Sequence, residues 1–218
     1  MSMTIRTHAD PATLMSFAAG TLTEPLAAVV AAHVALCGAC RREIALMELI
    51  GAGLVLDAEP AVMATRPSHR HGARRMQPLR QQSAVSIERG ERLPSPIATA
   101  YGLSLATVPW KRLGPGVWHH RLPLSDGIVG DLRLLKITAG RRMPEHGHGG
   151  AELTLVVEGA YRDETGSYGR GDIQDVDGST EHMPIADAES GCICLIASEY
   201  PARFKGLVAR LLQPLTGM

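Results

Sequence analysis

The spacing of apolar positions changes once along the chain. Over residues 1–56 the chain is rich in Ala and Leu and reads as helical. Asp10 can cap a helix that Pro11 opens and Gly20 closes. Thr23-Glu24-Pro25 opens a second helix that runs through Leu36. Beyond Cys40 a third fits, with Ile44, Met47, Leu49 and Ile50 mostly inward and Arg41, Arg42, Glu43 and Glu48 outward. Helices this short are not stable singly, so they are expected to pack on one another.

From Ile97 onward the pattern is strand-like. Val117–Leu122, Gly130–Thr138, Leu153–Tyr161, Ile173–Val176 and Cys192–Ala197 read as strands of a small antiparallel barrel. Turns are expected at Glu158-Gly159, Glu164-Thr165-Gly166 and Gly169–Asp172. Arg203–Leu212 suits a strand or a helix equally. Between the halves, Asp57 to Pro96 carries five prolines, at 60, 67, 78, 94 and 96, and is locally rich in arginine. By composition it is a linker, enclosing at most a short helix over His71–Leu79 that Pro78 limits. Its arginines could meet a partner or nucleic acid, but a solvated linker explains them more simply. His69 and His71 have no thiol or carboxylate close by in sequence.

Charge narrows the classes. Among 218 residues, Lys plus Arg and Asp plus Glu number 22 each, which gives no pointer to nucleic acid or a membrane surface. The chain has no apolar run near 18 residues, and Met1–His8 lacks the apolar stretch of a signal peptide, so a cytoplasmic protein is expected. The four cysteines form two close pairs, Cys37/Cys40 and Cys192/Cys194. In a reducing compartment such pairs favour metal or redox roles over a disulfide framework.

Two stretches carry candidate chemistry. His33-x3-Cys37-x2-Cys40 puts His33 and Cys37 on one helix face, and a glycine-containing turn lets both thiols reach one ion. A tetrahedral site needs a fourth ligand, for which His8 is the best candidate; a dithiol pair, or buried apolar cysteines, is the alternative. In the second stretch His146 and His148 share a face of extended chain, and Glu152 opens the run Leu153–Val157. Two imidazoles and a carboxylate converging there suit a first-row metal, although Gly147, Gly149 and Gly150 would also suit a solvated loop. His119 and His120 face opposite ways in a strand. Cys192 and Cys194 share a strand face, where packing is the simpler role and an oxidant-sensitive pair the alternative.

These residues also carry a resemblance. Gly140, His146, His148, Glu152 and Gly159 fill the fixed positions of the first cupin motif. A second cupin motif, starting at Gly171-Asp172, places His182 as a fourth ligand. It departs from the family at Asp177-Gly178-Ser179, where Pro-x-Gly is usual, and at Ala186, where Asn is usual. The His-x3-Cys-x2-Cys word, with an upstream histidine and Phe17-Ala18-Ala19-Gly20-Thr21-Leu22, resembles the zinc-containing anti-sigma domain. End to end, the chain is similar to ChrR-type anti-sigma factors, through Glu152–Val156, Arg162–Thr165, Gly171–Ile173 and Cys192–Leu195.

The resemblance implies an α+β protein of two domains. A zinc-binding helical bundle with a fourth helix would occupy residues 1–80, a linker 81–98, and an antiparallel cupin β-barrel 99–218. It implies zinc on His8, His33, Cys37 and Cys40. A second divalent metal would sit on His146, His148, Glu152 and His182: zinc first, with iron, manganese or nickel also compatible. The expected partner is a group IV (extracytoplasmic-function) sigma factor, bound one-to-one and released on singlet oxygen or organic peroxide, with Cys192 and Cys194 as redox candidates. No catalysis, direct nucleic-acid binding or membrane association is expected. A metal-dependent cupin oxygenase with a fused zinc module is the rival reading, and a DNA-binding regulator the third.

Overall fold

The computed structural model describes residues 4–59 and 93–201 and the backbone of residues 203–204. The expected helix over His71–Leu79, the boundary between residues 80 and 81, and most of Arg203–Leu212 lie outside these residues.

Three helices open the chain: α1 (Pro11–Ala18), α2 (Glu24–Leu36) and α3 (Gly38–Asp57). Asp10 caps α1 by accepting from the Ala12 N–H at 2.8 Å, and Gly20, at φ 69°, follows its end. Cys37 ends α2 and caps α3, so the two axes meet at 116° with no loop between them. Among the described residues, no single helix is long and apolar enough to cross a membrane.

The inward face of α3 is shorter than its sequence predicts. Cys40 and Ile44 are buried, but Leu49 and Ile50, expected inward, are 68% and 67% exposed. α3 continues past the packing that α1 and α2 provide, and its far half carries apolar side chains into solvent.

A fourth helix, α4 (Ser95–Tyr101), replaces the start of the strand-like region expected from Ile97. Pro96 in its first turn and Gly102 in the left-handed conformation (φ 63°) delimit it, and it packs on α2.

The strands that follow are β1 (Lys111–Gly114), β2 (Val117–Arg121), β3 (Asp131–Ile137), β4 (His146–Gly147), β5 (Glu152–Asp163), β6 (Gly166–Gly169), β7 (Ile173–Val176), β8 (Glu181–His182), β9 (Ile185–Ala186), β10 (Cys192–Ser198) and β11 (Arg203–Phe204). Every pairing is antiparallel. One sheet runs β1-β2-β3-β10-β5-β6, with β7 and β9 also on β5, and a smaller one runs β11-β4-β8. The architecture is thus α+β, helices followed by two antiparallel sheets. Hydrogen bonding does not close the strands into one continuous barrel among the described residues.

Glu158-Gly159 is not a turn. β5 passes through it with Glu158 and Gly159 paired to Ile193 and Cys192, and the register against β10 slips just before it, at Val157, as a bulge. Gly159 has φ 71°, and a Cβ at this position would lie 2.1 Å from the Gly191 carbonyl oxygen, so the crossing of these two backbones requires glycine.

α2 is what the rest packs around. Leu26, Val29, Val30 and Ala32 are buried, and the helix lies against β5 and β10. One apolar core therefore joins Val29 and Val30 to Leu132, Leu134, Leu155 and Leu195 of the sheet. A second core on the other side of the sheet holds Leu135, Ile137, Val156, Cys192 and Cys194, with Tyr161 and Tyr168 stacked at 5.0 Å.

Candidate metal centres

The α2–α3 corner makes the first cluster. His33, one turn before the end of α2, and Cys37 and Cys40, at the start of α3, point to one place, and His8 reaches it from the N-terminal segment. One donor atom from each lies within 4.8 Å of the others. His33 Nε2 is 3.2 Å from Cys40 Sγ, and His8 Nδ1 is 3.3 Å from Cys37 Sγ and 3.5 Å from Cys40 Sγ. Three of the four are buried and His8 is exposed.

The electrostatics fit a cation. His33 Nδ1 donates to the Gly171 carbonyl at 2.9 Å, which leaves Nε2 as the bare nitrogen facing the thiols. Burial holds the His33 imidazole down to about 4, so it is neutral at pH 7 as a ligand must be. Burial and the adjacent Cys37 push the Cys40 thiol up to about 11. Without a cation that thiol stays protonated; a soft divalent metal would displace its proton.

The second cluster draws on both sheets. β4 carries His146, the following loop His148, β5 opens with Glu152, and β8 ends with His182. Their donor atoms also lie within 4.8 Å of one another. His182 Nε2 is 3.2 Å from His146 Nε2 and 3.1 Å from His148 Nε2. His146 Nδ1 donates to the Pro144 carbonyl at 2.9 Å, and His182 Nδ1 donates to Asp163 Oδ2 at 2.7 Å. Both facing Nε2 atoms therefore present lone pairs to each other, an arrangement that repels unless a cation sits between them. The buried Nδ1 of His148 has no hydrogen bond, although Glu152 Oε2 is 3.1 Å away. Burial also lowers the His146 pKa, which favours its neutral form.

Asp163 holds this arrangement from behind. Burial alone would raise its pKa, but hydrogen bonds from His182, Thr165 and Gln174 keep the carboxyl well below the usual carboxylate range. Gln174 Nε2 donates to Asp163 Oδ2 at 2.8 Å, and Tyr161 donates to Gln174 Oε1 at 2.8 Å.

A cavity of about 320 Å³ opens beside His146, Glu152 and His182, walled mostly by apolar groups including Leu135, Ile137, Met143 and Ile196. Cys194 lines it, and its Sγ is 3.2 Å from that of Cys192. The hydrogen bond with Cys192 and complete burial push the Cys194 thiol well above the ordinary thiol range.

The structure thus brings together all four residues named from the sequence at each cluster, and it places Cys194, with Cys192 behind it, on the wall of the cavity beside the second. His119 stands apart from both and contacts Arg133. Sequence reasoning did not single out Asp163, Gln174, or the Gly171 carbonyl as supports. The Arg-Asp-Glu-Thr word contains Asp163, but only the β5–β6 hairpin shows that its carboxylate turns toward His182.

Residues 100–200 match a family described as the ChrR cupin-like domain. The chain is 39% identical over 212 residues to the anti-sigma-E factor ChrR of Cereibacter sphaeroides, covering 97% of this chain and 98% of that one. The crystal structure of Rhodobacter sphaeroides SigE in complex with the anti-sigma ChrR matches with a TM-score of 0.73 and 38% identity, over 89% of this chain and 99% of that one. With sequence likeness running end to end and the fold shared, this chain belongs to the ChrR family of anti-sigma factors.

Proposed function

We propose that this protein is an anti-sigma factor. It holds a group IV (extracytoplasmic-function) sigma factor away from polymerase and releases it when the cupin meets an oxidative signal such as singlet oxygen or an organic peroxide. One observation carries the reading on this chain: α3 is apolar on two faces. Cys40, Ile44 and Met47 pack inward, while Leu46, Leu49, Ile50 and Leu54, at helical spacing on another side, are 57–69% exposed. A contiguous exposed apolar stripe marks an interface. The relative crystallised with a sigma factor supports a sigma factor as its occupant. Such a partner would place the protein in the cytoplasm.

In this reading residues 1–80 form the sigma-binding unit, 81–98 a linker and 99–218 the cupin. His8, His33, Cys37 and Cys40 hold zinc. Four protein donors leave no open position, so the metal is structural and its binding energy is folding energy for the α2–α3 corner. His146, His148, Glu152 and His182 hold a second divalent ion, zinc or alternatively iron, manganese or nickel, which would supply a Lewis-acidic or redox-active centre at the cavity. Cys194 is the thiol that an oxidant entering the cavity meets, with Cys192 beside it as its partner.

The test is co-purification. Wild-type chain should retain its cognate sigma factor, and a Leu49→Glu/Ile50→Glu variant should lose it while its melting temperature stays unchanged. Equal retention by the variant would move the interface off α3. The cavity beside the second cluster favours one other reading, a cupin oxygenase. Oxygen uptake by iron-loaded protein with small organic substrates would support that reading instead.

A further inference from the structure

The cluster at the α2–α3 corner is supported from outside its own helices. On the cupin side, the turn from β6 into β7, together with β7 itself, makes three kinds of contact with it and with the N-terminal segment that carries His8. The Gly171 carbonyl accepts from His33 Nδ1 at 2.9 Å. Asp172, 2% exposed, accepts through Oδ1 from the backbone N–H of Arg6 at 2.6 Å and of Thr7 at 3.0 Å. Asp175 accepts from the Asp10 N–H at 3.0 Å. Residues on both sides of His8 are thus fastened to the cupin, and so is the back of His33.

The turn itself is fixed. Asp172 Oδ2 accepts from the Gly169 N–H at 2.9 Å. Its backbone locks onto β5 by two bonds, Gly171 N–H to the Val156 carbonyl and Val156 N–H to the Asp172 carbonyl. Gly171 adopts φ 86°, a left-handed conformation in which glycine is at ease. Two residues further, Gln174 supports Asp163, and through it His182 of the other cluster. One short segment therefore braces both clusters.

We propose that Gly171 and Asp172 are positioning residues of the N-terminal cluster: the cupin fixes the tautomer of His33 and the place of His8, and so sets how tightly that cluster holds metal. This rests on the metal-binding reading above. Partners behind metal ligands typically change affinity by about 10–100-fold when removed. Here they come from a different part of the chain, so the cupin has a direct hold on the metal of the sigma-binding unit.

Cobalt(II) binding to the full chain tests this, read by the thiolate-to-cobalt charge-transfer band under chelator competition. That band reports the cluster holding Cys37 and Cys40. In Asp172→Ala the affinity should fall about 10–100-fold, with metal at the second cluster retained. Asp172→Asn keeps an oxygen acceptor for Arg6 and Thr7 but loses the one for the Gly169 N–H, and its affinity should fall between those of wild type and Asp172→Ala. An Asp172→Ala affinity within twofold of wild type overturns the proposal. A wild-type chain without the band would instead sink the metal reading, and this inference with it. Should Asp172→Ala fail to fold, amide exchange on metal-loaded wild type decides: the Arg6 and Thr7 amides are expected to be protected, and exchange at unstructured-peptide rates overturns the proposal.

Discussion

Asp163 Oδ2 lies 2.7 Å from His182 Nδ1, with both side chains buried to within 1% of fully. An ionised carboxylate can only accept, so it keeps the His182 proton on Nδ1 and leaves Nε2 bare toward His146 and His148.

An amide at this position can donate to His182 and favour the wrong tautomer. Asp163→Asn is expected to lower metal affinity at the second cluster by about 10–100-fold, leaving the thiolate–cobalt band of the first in place. Metal content after dialysis against a chelator checks this. Undiminished retention would make Asp163 a packing residue only.

The Cys192 and Cys194 sulfurs are 3.2 Å apart on one face of β10, and a disulfide needs about 2.05 Å. Neighbours on one face of a strand have Cα atoms about 6.6 Å apart, close to the upper limit of about 6.8 Å for a bridge. Closing the bond would therefore bend β10, the strand between β3 and β5. In that reaction the two thiols lose two protons and two electrons, and an organic hydroperoxide is reduced to alcohol and water. The Cys192→Ser/Cys194→Ser variant is expected to bind sigma normally and to resist release by tert-butyl hydroperoxide. Release at the wild-type rate would assign the pair to packing.

Asp175 gives a pH dependence. Burial raises its pKa above the ordinary value of 3.8, opposed in part by hydrogen bonds from the Thr13 side chain and the Asp10 N–H. In the window between 3.8 and its raised value, the folded chain binds this proton before the unfolded chain does. Its contribution to stability therefore grows as pH falls through that window, and at pH 7 the buried carboxylate is a net cost. Asp175→Asn keeps an acceptor for Asp10 and removes the charge. It is expected to be more stable than wild type at pH 7, by a margin that shrinks toward pH 4. Thermal melts of both proteins at pH 7 and pH 4.5 measure the difference, and parallel curves would contradict it.

Local signals in the sequence were enough for much of the site. The Asp10 cap, Pro11 and Pro25 gave α1 and α2 their starts, because capping and proline chemistry act within a few residues. The spacing of His33, Cys37 and Cys40, and of His146, His148 and Glu152, marked both clusters, because residues four apart on a helix, or two apart in extended chain, share a face. The short strands β4, β8 and β9 were not legible: two residues carry no period, and long-range pairing alone defines them. Glu158-Gly159 has the composition of a turn, and only the approach of Gly191 explains a glycine at this point inside a strand.

What the sequence determined by itself was which atoms could bind: two sets of donors whose spacing is chemistry of the local chain. Tertiary structure decided how those atoms are held. Gly171 behind His33, Asp172 beneath the His8 segment and Asp163 behind His182 stand 138, 165 and 19 residues from the groups they fix or adjoin. The outward stripe of α3 was likewise decided there. Apolar spacing says that a helix face will be buried, but which face its own fold covers, and which it leaves for a partner, depends on where the neighbouring helices end.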